Sequence, residues 1–299
     1  METTAETART WCGGLLGAAS VGSGPTDEQR NIVAALLHGY FGLPADPALE
    51  PRSADEVAGA ISDPQARHRF VETMVVLEFA CHPPDPAVAD SVETYARALG
   101  VHDDLVALGR DALEGRCDQM MADYQRFSQA PYGEPELEGA ADDALAATLR
   151  NLRECSPESL GRAFFDFYDR HGIPFPGEAG GGTASLVPHD FTHVIAGYEP
   201  EPVGELALQA MLVAATDGDA HFSSLLAVLG LSEVGMLRFL DIDPKMGLLD
   251  RPGAAEALAE AMRRGRICGT DFEDLDHLSL ADQPLALVRR DLGIVPSAV

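Results

Sequence analysis

At 299 residues, 46% of them apolar, the chain is long enough for two separate hydrophobic cores. Asp and Glu number 48 against 21 Lys and Arg, a formal net charge of −27. That balance excludes nucleic acid as a partner, because like charge repels the phosphates, and it opposes nonspecific adhesion to anionic bilayers. No run of 18 apolar residues is present to span a membrane, and the stretch from Trp11 to Ser23 lacks the basic start of a signal peptide. Five scattered cysteines without a Cys-x-x-Cys read as reduced thiols of a cytoplasmic protein. Peripheral membrane contact through apolar helices stays open.

In chain order, the elements read as helices. Glu28 to Phe41 carries Ile32, Ala35, Leu36 and Tyr40 at helical spacing, with Thr26 or Asp27 to cap its start. Ala54 to Ile61, Pro64 to Cys81 and Pro86 to Leu99 follow. The part from Arg69 to Phe79 is apolar enough to be buried. Asp103 to Phe127 holds one long helix or two shorter ones. His38, His68 and His82 have no paired carboxylate motif, and His82 beside Pro83-Pro84-Asp85 suggests a turn. Pro and Gly punctuate Ser128 to Pro135, and amphipathic signals resume near Leu137. The expected fold is therefore all-α, two helical bundle domains, 1–130 and 131–299.

The second half contains the one constellation specific enough to suggest chemistry: His189-Asp190, then His193, then eleven residues, then Glu205. Residues i and i+4 share a helix face, so His189 and His193 are neighbours if 189–196 is helical. Asp190 is offset from that line by roughly 60°. Gly197 should stop this helix, and Glu199-Pro200-Glu201-Pro202 cannot continue it. A second helix from Val203 to Thr216 then returns antiparallel, with Glu205 in its first turn. Two imidazoles and two carboxylates suit a divalent metal, with zinc first and iron or manganese next. With Asp190 bound, the shell closes at four ligands. With Asp190 behind the others, a coordination position stays open. The plainer alternative is that Asp190 and Glu205 only complement helix termini.

Other polar groups read as ordinary. Asp217-Gly218-Asp219-Ala220 before His221 lacks the downstream acid a calcium loop needs. His277, in an acidic stretch, is expected to be exposed. Arg263, Arg264 and Arg266 are expected at a solvated helix end, the alternative being an anionic head group. Phe164, Phe167, Tyr168, Phe191, Met211 and Leu212 are either core or the lining of an apolar site.

Residues 155–296 resemble the coenzyme Q (ubiquinone) biosynthesis family, defined by the metal motif His-Asp-x-x-His, eleven residues, Glu. The motif residues here are His189, Asp190, His193 and Glu205. Flanking matches are Ser159-Leu160-Gly161-Arg162-Ala163-Phe164, His171-Gly172, Val194-Ile195-Ala196-Gly197 and Gly204-Glu205-Leu206-Ala207. Downstream, Arg264-Gly265-Arg266, Asp271-Phe272-Glu273-Asp274, Pro284 to Arg289 and Leu292-Gly293-Ile294 follow the same pattern. The segment from Pro174 to Pro188, with its four glycines, departs from it, as do some 150 N-terminal residues. Those loosely resemble TerB-like (tellurite-resistance) helical domains at Arg67 to Val101. The first resemblance implies an all-helical protein that binds a divalent metal and a prenylated quinone precursor or isoprenoid lipid. It also implies work alongside other quinone-biosynthesis proteins and oxidative decarboxylation at ring C1. A homo-oligomer is expected. The alternatives are a non-catalytic isoprenoid-binding scaffold and a His-Asp-type phosphohydrolase. The last needs further His and Asp ligands that the sequence does not offer in order, since His102-Asp103 lies at a helix start without partners.

Overall fold

A computed structural model of the chain describes residues 4–81 (45 and 47 aside), 85–102, 141–216 and 247–295, with single positions between them. Among the described residues there are eleven α-helices and no strand. None of these helices is long and apolar enough to cross a membrane. The turn expected at His82, most of the helix expected over Asp103–Phe127, the punctuation at Ser128–Pro135 and the Asp217–Ala220 string lie outside the described residues. Two compact units emerge, Met1–Gln129 with Asp219–Arg263, and Ala130–Gly218 with Arg264–Val299.

The first unit contains α1 (Ala5–Ala19), α2 (Asp27–Ala35), α3 (Ala54–Ala60), α4 (Pro64–Phe79), α5 (Pro86–Leu99) and most of α10 (Ala254–Cys268). Local signals set the starts. Thr26 and Gln29 form a capping box on α2, Ser53 and Glu56 another on α3, and Asp63 caps α4 ahead of Pro64. The helix expected to run on to Phe41 instead leaves the α form at Ala35 and continues as a π turn, Leu36–Tyr40. Gly39 in that turn lies against the backbone of Ala259, where a Cβ would collide. Every residue of α4 from Arg69 to Phe79 is buried, as its apolar run suggested. Trp11 sits edge-on to Phe70 at 5.2 Å and to Phe41 at 5.9 Å.

The second unit holds α6 (Asp143–Asn151), α7 (Leu160–His171), α8 (Leu186–Ala196), α9 (Pro202–Thr216), the end of α10 and α11 (Leu285–Asp291). Ser159 caps α7 by accepting the Arg162 amide, and Gly172 ends it with φ 66°. Phe164 stacks on Phe191 at 4.0 Å and Tyr168 on Phe175 at 4.6 Å. Met211 and Leu212 are fully buried with them, so the six apolar candidates belong to this unit's core. Gly265 lies so close to the Met211 carbonyl that any side chain would clash.

Two sequence expectations fail in this unit. Arg264 is not solvated but wholly buried: Nη2 donates to the Ala196 carbonyl at 2.6 Å and Nε to that of Val295 at 2.9 Å. Its guanidinium also lies over the Tyr198 ring at 4.9 Å. His277 is buried too, stacked on Phe191 at 5.1 Å, with Nε2 donating to the Phe272 carbonyl at 2.8 Å. Both errors share a cause. Each is buried against groups from distant segments, Ala196, Tyr198 and Val295 for Arg264 and the Phe191 ring for His277, which charge and local spacing do not reveal.

Candidate metal centre

α8 begins at Leu186, three residues before the first histidine. Pro188 is tolerated there because its missing N–H falls in the first turn, where amides have no helical acceptor. His189 and His193 then project from the same face, one turn apart. Their ring centroids are 4.8 Å apart and their Nε2 atoms 3.1 Å. Gly197, with φ 82°, stops the helix as expected. The amides of Gly197 and Tyr198 both return to the His193 carbonyl. Arg289 satisfies the next two free carbonyls, donating from Nε to Ile195 at 2.8 Å and from Nη2 to Val194 at 2.9 Å. With Arg264 on Ala196, guanidinium groups tie down the end of α8, where the helix dipole favours cations.

The chain turns at once into α9. Gly204 passes so close to the Glu199 carbonyl that a Cβ would collide with it. This tight passage sets Glu205 one residue later, against the imidazoles. Its Oε1 is 3.1 Å from His193 Nε2 and its Oε2 3.3 Å from His189 Nε2. The ligand atoms of His189, His193 and Glu205 lie within 4.8 Å of one another. His193 is at the floor, its side chain 1% exposed, whereas those of His189 and Glu205 are 20% and 30% exposed at the rim.

Asp190 is not in that group. Its Oδ2 accepts a hydrogen bond from the Tyr168 hydroxyl. Burial raises the Asp190 carboxyl above its usual range, against the pull of His189 and the Tyr168 bond. Burial, and then Asp190 itself, pushes the Tyr168 phenol far above the ordinary tyrosine value, so Tyr168 is the donor. A residue the spacing did not single out also reaches the site: Glu273 Oε1 is 3.6 Å from His189 Nδ1. No spacing rule on α8 or α9 could have found it, because it arrives on a loop far along the chain.

Charge is sharply organised. Burial disfavours the charged form of His189, but Glu205 and Glu273 outweigh it and hold the imidazole well above its usual pKa. Burial likewise opposes ionisation of Glu205, and the two imidazoles prevail, holding it well below the usual carboxylate range. The acidic group thus stays ionised and the basic one protonated, an arrangement in which a cation replaces a proton.

The distances fit a metal ion. Bonds of 2.0–2.1 Å to a tetrahedral zinc put neighbouring ligand atoms about 3.3–3.4 Å apart, and a cis edge of an octahedron with similar bonds is about 3.0 Å. The two Nε2 atoms are 3.1 Å apart, and each faces its own Glu205 oxygen, His193 at 3.1 Å from Oε1 and His189 at 3.3 Å from Oε2, while one ligand atom from each residue gives a set within 4.8 Å. His193 Nδ1 donates to the Tyr198 carbonyl at 3.1 Å, which leaves Nε2 as the free donor atom for a cation. His189, His193 and Glu205 can therefore hold a metal ion, and the ligand geometry is compatible with more than one element. No known protein-family model matches this chain, and no curated protein matches it either.

Proposed function

We propose that the second unit binds a divalent metal through His189, His193 and Glu205 and uses it on a prenylated quinone precursor, in the manner of coenzyme Q biosynthesis proteins. The carrying observation is that His189, His193 and Glu205 each bring a ligand atom into a set within 4.8 Å, the two Nε2 atoms 3.1 Å apart and each within 3.3 Å of a Glu205 oxygen. Two imidazoles and one carboxylate form the ligand set of catalytic zinc sites with an open fourth position, and also of non-haem iron sites. With Asp190 committed to Tyr168, three protein ligands leave room for substrate oxygen or water. That favours chemistry over a scaffold in which the ion only staples α8 to α9.

Bound there, the metal would supply Lewis-acid polarisation of a ring phenolate or carboxylate. The chain's own residues do the rest. Glu205 and His189 at the rim face the incoming ring, and His193 anchors the floor. Asp190, held by Tyr168, stays outside the ligand group. Oxidative decarboxylation at C1 exchanges the carboxyl, lost as CO2, for a hydroxyl and releases two electrons, so it would need an external oxidant such as dioxygen together with a redox-active ion, because zinc undergoes no redox change. Zinc remains the first expectation from the ligand types, and iron or manganese is the form that fits the oxidative reaction. The proposed partners are an isoprenoid lipid, other quinone-biosynthesis proteins and a second copy of the chain, with peripheral contact at a membrane surface.

The test is turnover of a carboxylated prenyl phenol by natively purified protein whose metal content is measured in the same sample. Activity present in the wild type and lost in His193→Ala, with helix content retained, is the expected result. An unchanged rate in that variant refutes the enzymatic reading. Bound metal and co-purified isoprenoid without turnover would leave the scaffold.

A further inference from the structure

We propose that Glu273 is a positioning residue of this metal centre, the carboxylate that receives the Nδ1 proton of His189 and so presents Nε2 to the cation. The inference rests on the metal reading above and extends it to a residue outside the four-residue motif.

Metal-bound histidines almost always give their second ring N–H to a carbonyl or carboxylate, which fixes the tautomer and the ring plane. His193 has such a partner in the Tyr198 carbonyl. His189 has Glu273, its Oε1 at 3.6 Å from Nδ1, a few tenths of an ångström beyond hydrogen-bond length. The two imidazoles are thus supported differently, one by a backbone carbonyl and one by a carboxylate.

Glu273 is not a surface acid that happens to be near. Four contacts fix its loop. Asp271 Oδ1 accepts the Glu273 amide at 2.9 Å and the Asp274 amide at 3.4 Å, an Asx turn. Phe272 is completely buried. His277 holds the Phe272 carbonyl, and its ring stacks on Phe191 at an interplanar angle of 3°. Phe191 lies on α8 between the two histidines, so the loop is registered against the helix that carries the ligands. The Glu273 side chain itself is 17% exposed.

The experiment is a competition titration of the apo full-length protein with zinc, comparing wild type, Glu273→Gln, Glu273→Ala and His193→Ala. Zinc affinity should fall about tenfold in Glu273→Gln and up to about a hundredfold in Glu273→Ala. In the zinc-loaded wild type the His189 Nδ1 proton should appear downfield by NMR, and it should move upfield in Glu273→Gln. A structural role alone would leave that resonance in place. Affinities within twofold of wild type in both variants, or an unmoved resonance, overturn the proposal while the metal site stands. If Glu273→Ala loses helix content, the isosteric glutamine variant decides. A wild type that binds no more zinc than His193→Ala overturns the metal reading itself, and this inference with it.

Discussion

His193 is held from several sides. Its Nδ1 is tied to Tyr198, its ring stacks on Phe167 at 5.9 Å, and its Nε2 meets both Glu205 and His189. His189 sits between two carboxylates and carries a proton that a cation must expel. Its raised pKa and the lowered one of Glu205 set the sign of the pH dependence. In the apo protein, the stabilisation from protonated His189 is fully present below its unfolded pKa of 6.5 and is lost as pH rises through the higher folded value. That from Glu205 is present above its unfolded value of 4.5 and is lost as pH falls through the lower folded one. The metal competes with the His189 proton, so apparent affinity should climb with pH, approaching tenfold per unit while that single proton is displaced. Zinc competition titrations between pH 6 and 8 check this. A flat profile would mean that His189 is already neutral in the apo site.

At the scale of the element, α8 and α9 were legible because their signals are local. The i, i+4 histidines, Gly197 as a stop and the prolines of the connection fix two helices and their short join. What held the join in place was not legible. Gly204 has an ordinary backbone conformation, and the sequence marks it only as a neighbour of the motif, with no physical reason for a glycine there. It matters because the Glu199 carbonyl occupies the space of a side chain. Gly204→Ala should displace the start of α9, carry Glu205 away from the imidazoles and weaken metal binding by about tenfold, or ~1.4 kcal/mol. Isothermal titration with zinc reads this directly, and an unchanged affinity would show that α9 can shift without moving its first turn. Arg264 was misread for a related reason. An arginine among other arginines looks solvated, whereas this one serves the carbonyl of Ala196 on a helix far away in sequence. Asp190 stands between these cases: its helix position was plain, but its partner Tyr168 lies on α7 and only packing brings the two together.

For the molecule as a whole, composition and periodicity were enough to give an all-helical chain. They could not reveal which charges the cores would enclose. Glu78 lies in the buried run of α4, and burial pushes its carboxyl up to about 8, against the pull of Arg110 and with some help from Glu93. A folded value raised above the unfolded 4.5 means the native state keeps a proton that the unfolded chain releases. Stability from this group is therefore complete below pH 4.5 and is lost progressively as pH rises toward 8. Glu78→Gln should abolish this decline and raise the melting temperature at pH 8 by roughly 5 °C or more. Parallel melting curves of the two proteins from pH 5 to 9 test it, and equal slopes would mean that the carboxylate is ionised at little cost in the fold.

The five residues Gly197–Glu201 join two helices that each supply a group able to hold a cation, His193 on one and Glu205 on the other. An ion seated there acts as a clasp across that connection, closing a short loop that would otherwise open when either helix end frays. At a free ion concentration a hundred times the dissociation constant, the clasp adds about 2.7 kcal/mol to whatever unfolding opens it. The Tyr198–Glu201 peptide bonds should then resist protease in the loaded protein and become cleavable when a chelator strips the ion. Cutting at this one connection would report occupancy without any substrate being known.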